Sequence, residues 1–296
     1  MPTTVTLAPK TTIRTFSFDP EKTAQSVLCL EVGQDRFQLL VRDKRGQASC
    51  LEDYRFSSLS TEQSLSGVLP DVFRNHEILL AGPWQEVRIG INSASFTLIP
   101  EPLFRKEYAA SYLALMRGSI LPTREFAQVY AHKADNFLSV FNLEHALFDY
   151  FSEMYALQPL VFVHQTSALI QATADLDRRS LTADSVYLYF EDEFVTMLCW
   201  KEHQLRYCNR FGYKNVQDLA YYILYVLDEQ SLAAAAVPIS LFGEITPFSE
   251  AYSELSRFLP NLSFGPVPAG LTLAPEFSDL PDHRYLSLYG LGLMSE

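Results

Sequence analysis

Twice along this chain, three strand-length apolar runs succeed one another across short gaps and then give way to a helical pattern. The first set is Ser26–Val32, Arg36–Arg42 and Ala48–Phe56, and the second is Ser185–Phe190, Phe194–Trp200 and Gln204–Phe211. Connections this short join antiparallel neighbours, because a parallel crossover needs a dozen or more residues. Ser26–Val32 is almost continuously apolar, as in a strand covered on both faces, whereas Phe37, Leu39 and Val41 alternate. Arg45-Gly46 marks a turn between the second and third runs.

After each meander, helix and strand alternate. In the second half, a helix over Lys214–Glu229 precedes a strand over Val237–Phe242 that ends in Gly243. A helix over Phe248–Phe258, a short strand at Leu262–Phe264 and a terminal helix over Tyr285–Leu293 complete it. In the first half, Ser60 and Gln63 form a capping box for a helix running to Arg74. Strands are expected at Glu77–Leu80, Glu86–Ile91 and Ser95–Ile99, then a helix over Arg105–Met116 stopped by Gly118. Two strands, Phe126–Ala131 and Phe137–Phe141, lead into an amphipathic helix over Leu143–Met154. A strand at Leu160–Val163 and a small-residue helix from Gln165 to Asp175 close the half. The polar stretch before Thr23, with Pro2, Pro9 and Pro20, reads as a loose arm or an edge segment. The order strand–strand–strand–helix–strand–helix is thus clear in the second half and recurs, with insertions, in the first. It predicts an α/β chain of two ribonuclease H-like lobes, residues 1–179 and 180–296, each a mixed sheet covered by helices, with a cleft between them.

Composition narrows the function. The net charge is −12, and the densest basic cluster, Arg42, Lys44 and Arg45, has Asp43 inside it. A phosphate-backbone binder needs clustered cations to displace counterions, so nucleic acid and anionic membrane surfaces are disfavoured. The strongest apolar run, about Leu219–Leu227, is far short of the roughly 18 residues of a membrane span. No secretory leader is recognisable in Met1–Phe18, which leaves the cytoplasm as the expected compartment. Cys29, Cys50, Cys199 and Cys208 form no C-x-x-C pair and fall in strand-like stretches, where they read as reduced core residues. The six histidines show no local metal-ligand spacing, and no metal or cofactor is expected.

Short motifs add a family likeness. Phe18-Asp-Pro20, Leu28-Cys-Leu-Glu-Val-Gly33, Phe96-Thr-Leu-Ile-Pro-Glu101 with Leu103-Phe104, Leu241-Phe-Gly-Glu244 and His283-Arg-Tyr285 occur in this order. Together they resemble a bacterial family of uncharacterised proteins, a domain of unknown function with an actin-like ATPase fold, and the resemblance covers almost the whole chain. It implies that fold and a cleft between lobes where the superfamily binds ATP, but no activity.

In that superfamily two hairpins, one per meander, grip the phosphates. The first reads Asp-x-Gly-Ser/Thr: the carboxylate organises hydrated magnesium, glycine admits the phosphate and the hydroxyl donates to it. The matching stretch here is Glu31-Val-Gly33-Gln34, which keeps the glycine, lengthens the acid and loses the hydroxyl. The second hairpin, Phe190-Glu-Asp-Glu-Phe194, has no glycine and three adjacent carboxylates, and reads as a solvated acidic turn. On the adenosine side only Gly243 remains, in Leu241-Phe-Gly-Glu-Ile245, where it also serves to end a strand. Glu31, Gly33, Gln34 and Gly243 are therefore the residual cleft candidates.

The helix from Gln165 to Ala172 resembles the interdomain connecting helix of the superfamily. No G-x-S-x-G elbow, Walker A loop or G-x-G-x-x-G is present. The expected function is that of a non-catalytic actin-like protein that binds a protein partner, with Trp84, Trp200 and Tyr221–Tyr222 as aromatics divided between partner surface and core. The alternative is a divergent ATPase or small-molecule kinase in which Glu31, Gly33 and Gly243 stay functional; a third reading places a small ligand or a non-nucleotide anion in the cleft.

Overall fold

The computed structural model describes residues 8–56 and 65–294. By internal packing the chain forms two compact units: residues 1–168 with Thr272–Phe277, and Leu169–Leu271 with residues 278–296.

The first unit opens with β1 (Thr11–Arg14) and the meander β2 (Val27–Val32), β3 (Arg36–Arg42) and β4 (Gln47–Arg55). β1 pairs antiparallel with β4, so the proline-rich start supplies an edge strand. α1 (Leu65–Phe73) comes next, and the Ser60–Gln63 capping box expected for it lies outside the described residues. Glu77–Leu80, expected as a strand, is a turn: Ile78 and Leu79 donate their backbone N–H groups to His76 Nδ1, each at 3.2 Å, which curls the backbone instead of extending it. β5 (Glu86–Ile91) then runs parallel to β2.

Between β5 and the next strand of the same sheet, at Leu160–His164, sits an insertion. β6 (Phe96–Pro100), β7 (Glu125–His132) and β8 (Phe137–Glu144) form a separate three-stranded antiparallel sheet in the order β6-β8-β7. α2 (Ala109–Arg117) covers it through Ala109 and Leu113, which pack on Val140 beside Ile99 and Val129. Gly118 ends α2 with φ +69°, the left-handed conformation that glycine adopts without steric cost. α3 (His145–Met154), β9 (Leu160–His164) and the first turn of α4 (Gln165–Asp177) complete the unit. Phe73 of α1 meets Tyr150, Phe151 and Tyr155 with ring centroids 5.3, 6.2 and 6.4 Å away, which locks α1 to α3.

The second unit repeats the plan without the insertion: β10 (Asp184–Phe190), β11 (Phe194–Lys201), β12 (Gln204–Gly212), α5 (Val216–Glu229), β13 (Ile239–Gly243), α6 (Glu250–Leu255) and β14 (Leu262–Phe264). Val186, Leu188 and Phe190 point to one face of β10 and pack under Leu219, Ile223 and Leu227 of α5. Asn215 caps α5 by accepting from the Asp218 backbone N–H at 2.8 Å. A short β15 (Thr272–Leu273) belongs to the first unit, where it pairs parallel with β4. The chain ends in α7 (Leu286–Leu293), buried along its length in spite of its position near the terminus.

The two sheets have one topology. Their strand orders are β4-β3-β2-β5-β9 and β12-β11-β10-β13-β14, with antiparallel pairs in the meander and parallel pairs after it. The duplication expected from element order is present in the hydrogen-bond ladders themselves.

Candidate functional site

The ladders align the two hairpins residue by residue. In the first unit Val32 pairs with Phe37, and the Gly33 N–H donates to the Arg36 carbonyl at 2.8 Å. In the second, Phe190 pairs with Val195, and the Glu191 N–H donates to the Phe194 carbonyl at 2.9 Å. On the parallel side, the Asn92 N–H donates to the Val32 carbonyl and the Glu244 N–H to the Phe190 carbonyl, both at 2.8 Å. Gly33 therefore corresponds to Glu191, Glu31 to Tyr189, and Ile91 to Gly243.

Glu31 sits on β2 and is only 5% exposed. Its Oε1 accepts from Gln165 Nε2 at 3.0 Å, so a side chain at the start of α4 holds one oxygen of the carboxylate. Gly33 and Gln34 lie beside it in the turn. The first turn of α4 is polar yet fully buried: His164 Nδ1 accepts from the Thr166 N–H at 3.2 Å while its Nε2–H donates to the Ser93 carbonyl at 3.1 Å. Ser167 contacts His132 Nε2 at 3.0 Å, and burial lowers the His132 pKa to about 4.

The second hairpin departs further. Tyr189, at the place of Glu31, is buried, and its hydroxyl bonds Ser287 Oγ at 2.9 Å. Glu191, at the place of Gly33, faces Arg210, whose Nη2 lies 3.5 Å from its carboxylate and whose guanidinium stands 5.4 Å from the Phe194 ring centre. The turn expected to be solvated is so only at Asp192 and Glu193; Glu191 is half-buried. The carboxylates that stand out in the sequence thus occupy the turn, and the strand position that would hold an acid carries a tyrosine.

Gly243 has φ +83°, and a Cβ there would lie 2.1 Å from the Phe190 carbonyl oxygen. Its N–H donates to the His283 carbonyl at 2.9 Å. Next to it, Arg284 Nη2 bonds both carboxylate oxygens of Glu244, at 3.1 and 2.9 Å, and His283 Nε2–H donates to the Ile245 carbonyl at 3.0 Å. Two of the sequence motifs, Leu241-Phe-Gly-Glu244 and His283-Arg-Tyr285, therefore meet and clamp the end of β13. Nothing in the sequence marked them as neighbours. Glu31, Gly33 and Gln34 share one hairpin of the first unit; Gly243 belongs to the second, among Phe190 and His283.

Of the aromatic candidates, Trp84 and Trp200 are each 3% exposed and belong to the core. Tyr221 and Tyr222 are exposed on α5, 63% and 40%. Cys29, Cys50 and Cys199 are buried free thiols; Cys208 is free and half-buried. Burial pushes the Cys29 pKa up to about 12, as expected for an inert core thiol.

A family model spans residues 15–262 of the chain. The chain belongs to the family described as Protein of unknown function (DUF3822). This DUF3822 chain has no match among the curated proteins. Among solved structures it is similar to a Bacteroides thetaiotaomicron protein with actin-like ATPase fold and unknown function, at 19% identity and a TM-score of 0.75, covering 94% of this chain and 99% of that one. It is also similar in fold to a chain of the PilM-PilN type IV pilus biogenesis complex, at 14% identity and a TM-score of 0.59, covering 90% and 97%. The DUF3822 chain has the actin-like ATPase fold, and no helix of the described residues is long and apolar enough to cross a membrane.

Proposed function

We propose that this protein uses the actin-like fold to hold a protein partner and does not turn over ATP, working in the cytoplasm. The observation that carries the reading is the register of the second hairpin. A buried tyrosine bonded to Ser287 stands where the first hairpin has Glu31, and Glu191 stands where it has Gly33. A phosphate approaching that turn meets the Glu191 side chain where the first hairpin has a glycine, and the carboxylates of Asp192 and Glu193 repel it. Glu31 itself is engaged by Gln165. The Gly243 N–H is engaged by the His283 carbonyl, and the close approach of Phe190 gives the glycine a structural reason to be there. PilM, of the same fold, is known from a complex with PilN, so the fold is compatible with holding a partner.

Calorimetry with Mg-ATP tests the proposal. No binding with a dissociation constant below about 1 mM is expected, a free energy weaker than about 4 kcal/mol. Submillimolar affinity that disappears in Glu31→Ala would overturn the proposal in favour of a divergent ATPase or kinase.

A further inference from the structure

A groove of about 350 Å³ opens on the first unit, lined by Gln128, Val129 and Tyr130 of β7, Phe148 and Ser152 of α3, and residues Leu160–Phe162 of β9. Both walls are sheet edges. β7 ends the three-stranded sheet and β9 ends the larger one, and among the described residues neither has a second neighbour. The floor between them is aromatic: Phe148 and Phe162 stand 5.1 Å apart, and Phe126 meets Phe148 edge-on at 5.6 Å. Cα atoms of β7 and β9 come within 8 Å of each other. A strand wedged between them would need two strand spacings, about 9.6 Å, so an occupant lies along the mouth and sends side chains inward.

Charge completes the description. On the helical wheel of α3, Asp149 neighbours Ser152 around the rim, with Glu153 beyond it. Both are exposed, and Arg117 and Arg124 pair with Glu125 instead. We infer that this groove receives an extended segment of a partner protein in which apolar residues alternate with Lys or Arg. Its apolar side chains enter over Phe148 and Phe162, and its cations meet Asp149 and Glu153. The inference rests on the partner-binding reading above and deepens it by giving the partner's chemistry.

The test pans a phage-displayed library of random dodecapeptides on the full chain, in parallel with Ser152→Arg and Gln128→Arg variants that put a cation into the groove. Thermal melting checks that each variant is folded. Peptides enriched on the wild type are then synthesised and titrated by fluorescence anisotropy. Enriched sequences should combine apolar residues with Lys or Arg. Their affinity should fall at least tenfold in either groove variant and in Asp149→Lys/Glu153→Lys, and should weaken as salt is raised. The inference is overturned if no sequence is enriched, if the enriched sequences are acidic, or if affinity is unchanged in both groove variants. It is equally overturned if sedimentation shows a dimer that the groove variants dissociate, because the occupant is then a second copy. Peptides that bind elsewhere on the chain would remove the groove and leave partner binding standing, whereas tight Mg-ATP binding would remove the underlying reading.

Discussion

Replacing Gly243 by alanine separates the structural account of this residue from a nucleotide-binding one. The new Cβ would lie 2.1 Å from the Phe190 carbonyl oxygen and 3.0 Å from its nitrogen, on backbone that cannot swing aside as a side-chain tip can. At φ +83° an L-residue already costs about 1–2 kcal/mol. Relieving the contact separates β13 from β10, and two bonds are exposed to that shift: Glu244 N–H to the Phe190 carbonyl at 2.8 Å and Gly243 N–H to the His283 carbonyl at 2.9 Å. A buried backbone bond left unmade costs about 1–3 kcal/mol, so with both bonds lost the total comes to roughly 3–8 kcal/mol. That is a large part of a typical total of about 5–15 kcal/mol. Gly118 is the control: its φ is +69°, but a Cβ there meets nothing within 4 Å, so Gly118→Ala should cost only the backbone component of about 1–2 kcal/mol. Urea denaturation followed by circular dichroism measures both. Equal losses in the two variants, or a loss below about 1 kcal/mol in Gly243→Ala, would refute the packing argument.

Four further outcomes are expected. Asp53 is fully buried and accepts from Arg36 Nε at 2.8 Å and Nη2 at 2.6 Å; Asp53→Asn should cost about 3–5 kcal/mol in urea denaturation, because a nearly buried guanidinium loses its counter-ion. The equally short Arg74–Asp71 pair is exposed, and Asp71→Asn should cost less than about 1 kcal/mol by the same measurement. His132 has a folded pKa lowered by burial from 6.5 to about 4, so the unfolded chain binds the proton more readily. The stabilisation is full above pH 6.5 and is lost as pH falls towards 4, by up to about 3 kcal/mol, and this acid limb should shrink in a pH series of denaturation curves on His132→Phe. Trp200 donates its indole N–H to Thr173 Oγ1 at 3.1 Å within the second unit; Trp200→Phe should cost about 1–3 kcal/mol from the lost bond and packing, read by thermal melting.

The sheets were legible because their signal is periodic. Both meanders, β9, β13 and α5 fall within a few residues of their expected places, since continuous or alternating apolar runs report burial directly. The turn at Glu77–Leu80 was not, because Ile78, Leu79 and Leu80 look like a buried strand until His76 Nδ1 takes the amides of Ile78 and Leu79. β15 was hidden for a different reason, and β1 was foreseen only as a loose arm or an edge segment. They are short edge additions to β4, from residues far apart in sequence, and a few residues carry too little pattern to announce a partner. The clamp of His283 and Arg284 on Ile245 and Glu244 joins residues about forty positions apart, which periodicity does not encode.

The candidate hairpins show the limit most sharply. Along the string of residues, Glu191, Asp192 and Glu193 read as the acidic counterpart of Glu31, and the difference between the halves reads as an excess of charge. Along the ladder, Glu31 pairs with Gln38, and its counterpart Tyr189 pairs with Thr196. Because strand side chains alternate with a period of two, the distance of a carboxylate from the hairpin decides which face it serves, and acids in the turn do not substitute for one on the strand. At the strand position the second half carries a tyrosine that bonds Ser287 of α7, a contact internal to its own unit. The first half keeps its acid but binds it to Gln165. In each half this strand position makes a contact that packs its own unit, by a different partner in each, and the proposed partner-binding role rests on that geometry.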